Sequence, residues 1–410
     1  MKAIATFSLL LLCSVSLLAQ SIITDNRTGC QVITENPSPA LSVTWSGACE
    51  ENWASGPGTL VWLYDGKNVA EYTGTLQHGL PHGKGKYTWS NGYVQEGNYF
   101  QGQFLNLDST YLTRLEKVEL MKQDKNNLYI NDGNSQTLFY YMLKPKSEIK
   151  GALILLGGST EPSNYVLMST RTLTQRANDL GLAVIVPSIN NNLWLGKHEL
   201  SFLNLVFENA VQQYHLPKNK IIMGGFSLGG LYALRYAEMA NDPQYKTAIR
   251  PVAVFAADPP LDMTWLYSVF QNEVKRNKSE SAVAESNRYI TAMETEFGSD
   301  PTGEKYKTFS AFSGSEKDGG NAKYLRNIPV RIYCDPDTEW QMKNRNVNYD
   351  EMGAKDQTAM IDLLNDLGNH NAEFVNALGK GYNPDSTRNP HSWSIIDANT
   401  CVDWMLRWLK

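Results

Sequence analysis

The segment Gly224-Gly225-Phe226-Ser227-Leu228-Gly229-Gly230 carries the residue types that turn a serine into a nucleophile. A serine at the apex of a tight strand-to-helix turn sits in strained backbone geometry that exposes its hydroxyl to a neighbouring base. Small residues two before and two after it let the strand and helix backbones approach, and Gly225 and Gly229 meet that need. A helix opening at Leu228 would point free N–H groups and its positive dipole end at a developing oxyanion, so the Leu228 amide is one candidate oxyanion donor. The second candidate is the Ser159 amide, which follows Gly157-Gly158 at the end of an apolar run. The bland reading of Gly224–Gly230 is a glycine turn with an idle serine, and what surrounds it decides against that reading.

The surroundings alternate between strand and helix. Residues 117–130 and 136–143 read as a leading hairpin joined across Asn131-Asp132-Gly133-Asn134. Ala152–Leu156 is a continuous apolar run of the kind buried on both faces of a parallel sheet. A helical stretch stops at Gly181, and Leu182–Val186 is the next apolar strand. Leu200, Leu203, Val206, Phe207, Ala210, Val211 and Tyr214 make one helical stripe. Ile221–Met223 precedes the glycine turn, with further strands at 251–256, 328–333 and 372–377. This order predicts a mostly parallel sheet flanked by helices. Residues 260–325 are looser and more polar, and are expected to form a cap insertion over the carboxyl edge of the sheet, where active sites of such sheets lie. Trp265, Tyr267 and Phe270 argue against a disordered linker there.

In motif order, spacing and strand pattern, residues 117–410 resemble the α/β-hydrolase superfamily. The resemblance implies acyl transfer to serine followed by hydrolysis of the acyl-enzyme, with no cofactor, and the chain order nucleophile, acid, histidine. Only His370 and His391 follow Ser227. His391, in the loop Asn389-Pro390-His391-Ser392-Trp393 ahead of the final amphipathic helix, is the favoured general base. His370 falls at the opposite edge of the sheet. The acid is expected after the strand at 328–333, where Cys334-Asp335-Pro336-Asp337-Thr338-Glu339 offers three carboxylates. Asp337 is preferred, then Asp335, then Glu339; an acid that loses this role caps a helix or forms a turn. Gly157 departs from the pattern, because many members of the superfamily have histidine there.

Ahead of this region, residues 45–102 repeat. Trp45-x-Gly47 recurs as Tyr72-x-Gly74 and, with Gln95 in the aromatic place, ends at Gly97. Gly56, Gly58, Leu60 and Trp62 recur 27 residues later as Gly83, Gly85, Tyr87 and Trp89. Asp65-Gly66 and Asn91-Gly92 are hairpin-turn signals. The pattern resembles MORN repeats, stacked β-hairpins that imply a structural or interaction module across 21–115. Such a module is either a surface for a protein or envelope partner or an extra sheet on the enzyme. His78 and His82, four apart, read as a hairpin loop rather than a metal site, since Pro81 opposes a helix.

Residues 1–20 read as a signal peptide, with Lys2 ahead of an apolar stretch, which predicts export to the periplasm or medium. Four cysteines remain beyond it, and Cys30 with Cys49 is the favoured disulfide. Cys334 and Cys401 read equally as a bridge or as two buried thiols. A net charge of −5 over 410 residues gives no basic field for nucleic acid. The expected activity is a serine hydrolase acting on a small carboxylic ester. The alternatives are a prolyl-oligopeptidase-type peptidase, disfavoured by an N-terminal part too short for a propeller, and a non-catalytic protein that binds through its repeats.

Overall fold

The computed structural model describes residues 21–34, 37–131 and 137–410. The signal-peptide stretch and most of the Asn131–Asn134 connection lie outside them. The chain divides into two compact units, one ending at Gln103 and the other running from Phe104 to Lys410.

The first unit is built from β1 (Ser21–Thr24), β2 (Gln31–Thr34), β3 (Leu41–Trp45), β4 (Ala48–Glu50), β5 (Trp53–Tyr64), β6 (Lys67–Gln77), β7 (Leu80–Trp89), β8 (Val94–Phe100) and β9 (Gln103–Phe104), in one nine-stranded sheet. Long antiparallel hairpins β5–β6, β6–β7 and β7–β8 carry the repeat. Their register explains its spacing. Gly58, Gly74, Gly85 and Gly97 stand side by side on four strands. Across that bare row the Tyr72 ring lies flat: a Cβ on Gly85 would come within 2.3 Å of its hydroxyl, and one on Gly74 within 2.5 Å. The Trp45 indole uses Gly47 and Gly58 in the same way. Where the third unit has Gln95 in place of an aromatic, Tyr99 supplies the ring, its hydroxyl donating to the Gln95 carbonyl at 3.0 Å and its face meeting Tyr72 edge-on. His78 is a turn residue with φ 49° beside Gly79, in the two-residue bend joining β6 to β7. Among the described residues no cluster of ligating side chains could hold a metal. Cys30 and Cys49 form a disulfide.

The second unit opens with the short helix α1 (Ser109–Leu112) and the strands β10 (Leu115–Met121), β11 (Leu138–Leu143) and β12 (Gly151–Leu156). Then follow α2 (Ser163–Ser169), α3 (Arg171–Asp179), β13 (Leu182–Pro187), α4 (Lys197–Tyr214), β14 (Ile221–Phe226), α5 (Leu228–Asn241) and β15 (Ala253–Ala257). The helices α6 (Met263–Arg276), α7 (Glu280–Phe297) and α8 (Glu304–Phe309) precede β16 (Val330–Cys334), α9 (Thr338–Arg345), α10 (Ala354–Asp366), β17 (Ala372–Asn376) and α11 (Ala398–Leu406). Eight strands form a mixed sheet in the order β10-β11-β13-β12-β14-β15-β16-β17. The leading pairs β10–β11 and β11–β13 are antiparallel, and every later pair is parallel. Strands β11 to β16 are buried end to end but for the last residue of β14, and Arg331 of β16 is the one charged residue in them, as expected where helices cover both faces. β10 ends at Met121, short of the strand to residue 130 expected from sequence; Asp124 instead closes a turn, accepting from the Tyr129 amide at 2.9 Å.

The polar stretch after β15 is helical. Tyr267 of α6 donates to Glu294 of α7 at 2.6 Å, Phe270 stacks on Tyr289 at 5.1 Å, and Phe297 stacks on Phe309 at 4.9 Å. These aromatics give α6, α7 and α8 a core of their own, which is why a locally polar sequence stays ordered. The Tyr289 and Ser159 hydroxyls share a hydrogen bond, so α7 meets the loop that leaves β12. No helix among the described residues is long and apolar enough to cross a membrane.

Candidate active site

β14 ends at Phe226 and α5 begins at Leu228, leaving Ser227 alone on the bend with φ 53° and ψ −120°. A side chain adopts this region only when its surroundings over-determine it, at a cost of about 1–3 kcal/mol. Here the Ser227 amide donates to the Ala257 carbonyl of β15 at 2.8 Å, which ties the bend to the neighbouring strand. The flanking glycines are required by contact. A Cβ on Gly225 would sit 2.1 Å from the Gly229 carbonyl oxygen, and one on Gly229 would sit 2.1 Å from that of Leu156. Ser227 is partly exposed.

His391 lies beside this bend. Its ring packs 4.6 Å from that of Phe226, the residue before the serine. Its Nδ1 donates to Asp258 Oδ2 at 2.6 Å. The carboxylate bonded to the imidazole is therefore that of Asp258, one residue beyond β15, and among the described residues no hydrogen bond joins Asp337 to the histidine. Asp337 caps α9, accepting from the Trp340 amide at 2.9 Å, and pairs with Arg388 at 2.8 Å. Asp335 accepts from the amides of Gly379 at 3.1 Å and Gly381 at 2.8 Å, and also holds Arg388. Both aspartates shape the segment that carries His391 and leave the imidazole to another strand. The sequence sought the acid after β16, whereas the carboxylate bonded to the histidine follows β15, a strand paired with β14. The available signal was Ala256-Ala257-Asp258-Pro259, an acid ending a buried strand.

The other Asp258 oxygen, Oδ1, accepts from Gln357 Nε2 at 2.9 Å and from the Cys334 thiol at 3.4 Å. Burial pushes this carboxyl up, but the His391 charge and the hydrogen bonds from His391, Gln357 and Cys334 outweigh it and hold Asp258 below the ordinary carboxylate range. Cys334 and Cys401 are free, buried thiols; burial pushes the Cys334 thiol far up, so it acts as a neutral donor. With Asp258 ionised, His391 Nδ1 carries the proton and Nε2 is left as the acceptor.

After β12, the loop Gly157-Gly158-Ser159 faces the elbow, since Gly229 abuts Leu156 and Gly157. The Gly158 N–H is taken by Glu161 Oε2 at 2.7 Å. The Ser159 and Leu228 amide N–H groups donate to no described residue. His370 is exposed just ahead of β17, at the amino end of the parallel strands.

A MORN repeat model matches residues 72–92, so the chain carries this repeat in β6 and β7. No curated protein matches the chain in sequence. Among solved structures the chain is similar to a carboxylesterase from Lactobacillus plantarum, with 12% identity over 72% of this chain and 96% of that one and a TM-score of 0.43. It is also similar to a fungal esterase from Rhizomucor miehei, with 14% identity over 72% and 84% and a TM-score of 0.46. A third is the acylaminoacyl peptidase of Pyrococcus horikoshii, with 12% identity over 93% and 59% and a TM-score of 0.47.

Proposed function

We propose that this chain is an exported serine hydrolase of the α/β-hydrolase type that cleaves a small carboxylic ester through Ser227, His391 and Asp258. The observation that carries the reading is a serine held at positive φ on a strand-to-helix bend, beside a histidine whose far nitrogen is bonded to a carboxylate. Ser227 Oγ attacks the ester carbonyl carbon while His391 Nε2 takes its proton. Asp258 keeps the imidazole in the tautomer that can accept it and stabilises the imidazolium. The carbonyl oxygen, now an oxyanion, meets the free amides of Leu228 and Ser159, which favour it over the neutral ester. The tetrahedral intermediate collapses, and the alcohol departs with the proton from His391. Water, deprotonated by the same nitrogen, then releases the carboxylic acid and restores Ser227. The disulfide in the first unit supports an oxidising compartment and hence export. The repeat module serves as a structural or partner-binding sheet outside the chemistry.

Labelling with a fluorophosphonate probe tests this. Ser227 in the intact protein becomes covalently labelled and Ser227→Ala does not; short p-nitrophenyl esters are hydrolysed by the former only. An intact protein that neither takes the label nor turns over an ester refutes the reading. Faster cleavage of proline-containing peptide amides than of esters would move it to a peptidase.

A further inference from the structure

Two segments far apart in sequence, the loop after β12 and the loop ahead of α11, are joined by one carboxylate. Glu161 Oε2 accepts from the Gly158 amide at 2.7 Å, and the Trp393 indole N–H donates to Oε1 at 2.8 Å and Oε2 at 3.1 Å. The Glu161 amide returns a hydrogen bond to the Gly158 carbonyl at 3.1 Å, and the Glu161 carbonyl accepts from Asn190 at 3.0 Å. The consequence for the site is geometric. With the Gly158 N–H engaged, the next amide, that of Ser159, is the one left without an acceptor among the described residues. At the other end, Trp393 packs 5.5 Å from Phe226, whose ring in turn touches His391.

We propose that Glu161 is a positioning residue for the reaction at Ser227, its carboxylate locking the oxyanion loop and the base-bearing loop into one arrangement. This rests on the serine-hydrolase reading above. A carboxylate suits the task because it is acceptor-only: two N–H donors converge on it, and charge-assisted hydrogen bonds are short and directional. Protonation would put an O–H donor against one of those N–H groups and loosen the clamp. Burial pushes the Glu161 carboxyl up to about 7, against the lowering effects of the Gly158 amide, the Trp393 indole and the His391 charge. The charged group facing it is His391, from the loop ahead of α11; beyond that ring stands Asp258, from the end of β15. The clamp therefore tightens as pH rises through about 7.

The test measures ester turnover against pH for the full-length protein, Glu161→Gln, Trp393→Phe and the double variant. Glu161→Gln keeps the shape and presents an amide NH2 where an acceptor is needed. Misplacing catalytic groups by about 1 Å costs about 10²-fold, so kcat falls by about that factor with KM nearly unchanged. The acid limb of log(kcat/KM) in the intact protein includes the loss of a proton from Glu161 near pH 7, and Glu161→Gln removes that component. Trp393→Phe removes a single donor, lowers kcat about tenfold and keeps the Glu161 component of the acid limb. The double variant is no worse than Glu161→Gln. If both single variants keep the wild-type kcat and pH profile while the wild type is labelled at Ser227, the clamp is refuted and the hydrolase reading stands. A wild type that takes no label at Ser227 overturns both. If Glu161→Gln does not fold, Trp393→Phe decides: no loss of kcat overturns the clamp.

Discussion

Replacing Asp258 by asparagine keeps the shape of the side chain and removes the charge that faces His391. Its Oδ2 lies 2.6 Å from Nδ1, and Oδ1 is already fixed by Gln357 and Cys334, so the amide enters with its orientation constrained. Gln357 is a donor to Oδ1, which selects the asparagine flip that turns its own NH2 toward the imidazole. The ring must then accept at Nδ1 and carry its proton at Nε2, the wrong tautomer for taking one from Ser227. The lost attraction between imidazolium and carboxylate adds about 4 kcal/mol at a charge separation of about 4 Å and an effective dielectric near 20. Carboxylate-to-amide changes at this place in Ser-His-Asp sites lower kcat by about 10⁴, or about 5 kcal/mol of barrier. Asp258→Asn should therefore lose about four decades of kcat on a p-nitrophenyl ester with KM little changed. Asp337→Asn keeps an N-cap residue on α9 and should stay within about threefold of wild type. The reverse ranking, or Asp258→Asn within tenfold of wild type, would refute the assignment of the acid.

Three further perturbations follow from contacts elsewhere. Gly225→Ala forces a methyl against the Gly229 carbonyl and should abolish Ser227 labelling and cost about 3 kcal/mol; Gly66→Ala, at φ 73° with open space around it, should cost only about 1–2 kcal/mol in a denaturant titration. Arg235 and Glu238 form a fully buried ion pair on α5 at 2.5 Å, so Arg235→Ala should cost about 3–5 kcal/mol, whereas joint replacement by Met and Leu should come close to wild type in thermal melts. Burial raises the Asp25 carboxyl, but Arg27 and the amide of Trp45 outweigh it and bring it to about 2 from 3.8. A depressed folded-state value adds stability above pH 3.8, about 2 kcal/mol, that is lost as pH falls toward 2. Hydrogen exchange of the Trp45 amide, which donates to Asp25 at 2.7 Å, should accelerate across that window and lose its pH dependence of protection in Asp25→Asn.

Much of the sheet was legible because burial on both faces writes itself as unbroken apolar runs: β12, β13 and β14 fall where the runs at 152–156, 182–186 and 221–223 place them. The bend at Ser227 was legible too, since only glycine fits where backbone lies 2.1 Å from the place of a Cβ. Glu161 was not, because its meaning depends on an indole 232 residues away. Nor was the glycine row of the first unit: the spacing shows that glycines recur, but only the register shows that they stand abreast and bear a tyrosine ring.

The proposed acid, Asp258, eluded sequence reasoning for a reason that also explains how the site is held. Ser227 and Asp258 are the residues just past the ends of neighbouring parallel strands, where Phe226 is registered with Ala257. Both have positive φ, 53° and 46°, without being glycine. Each bend is secured in the same manner: the Ser227 amide donates to Ala257 on β15, and the Asp258 amide to Tyr333 on β16, both at 2.8 Å. Two strained residues at about 1–3 kcal/mol each persist because the sheet's own ladder runs one step beyond its regular edge. Positive φ is uncommon outside glycine, though aspartate adopts it more readily than most residues, and the local signal at residue 258 is only an acid ending the buried run before Pro259. The strain is supplied by long-range pairing, and it carries both residues past the regular edge of the sheet, where the Asp258 carboxylate meets the His391 imidazole. An acid placed after β16 instead would start one strand farther from β14, and there the structure uses Asp335 and Asp337 to hold Arg388 and the loop that delivers His391.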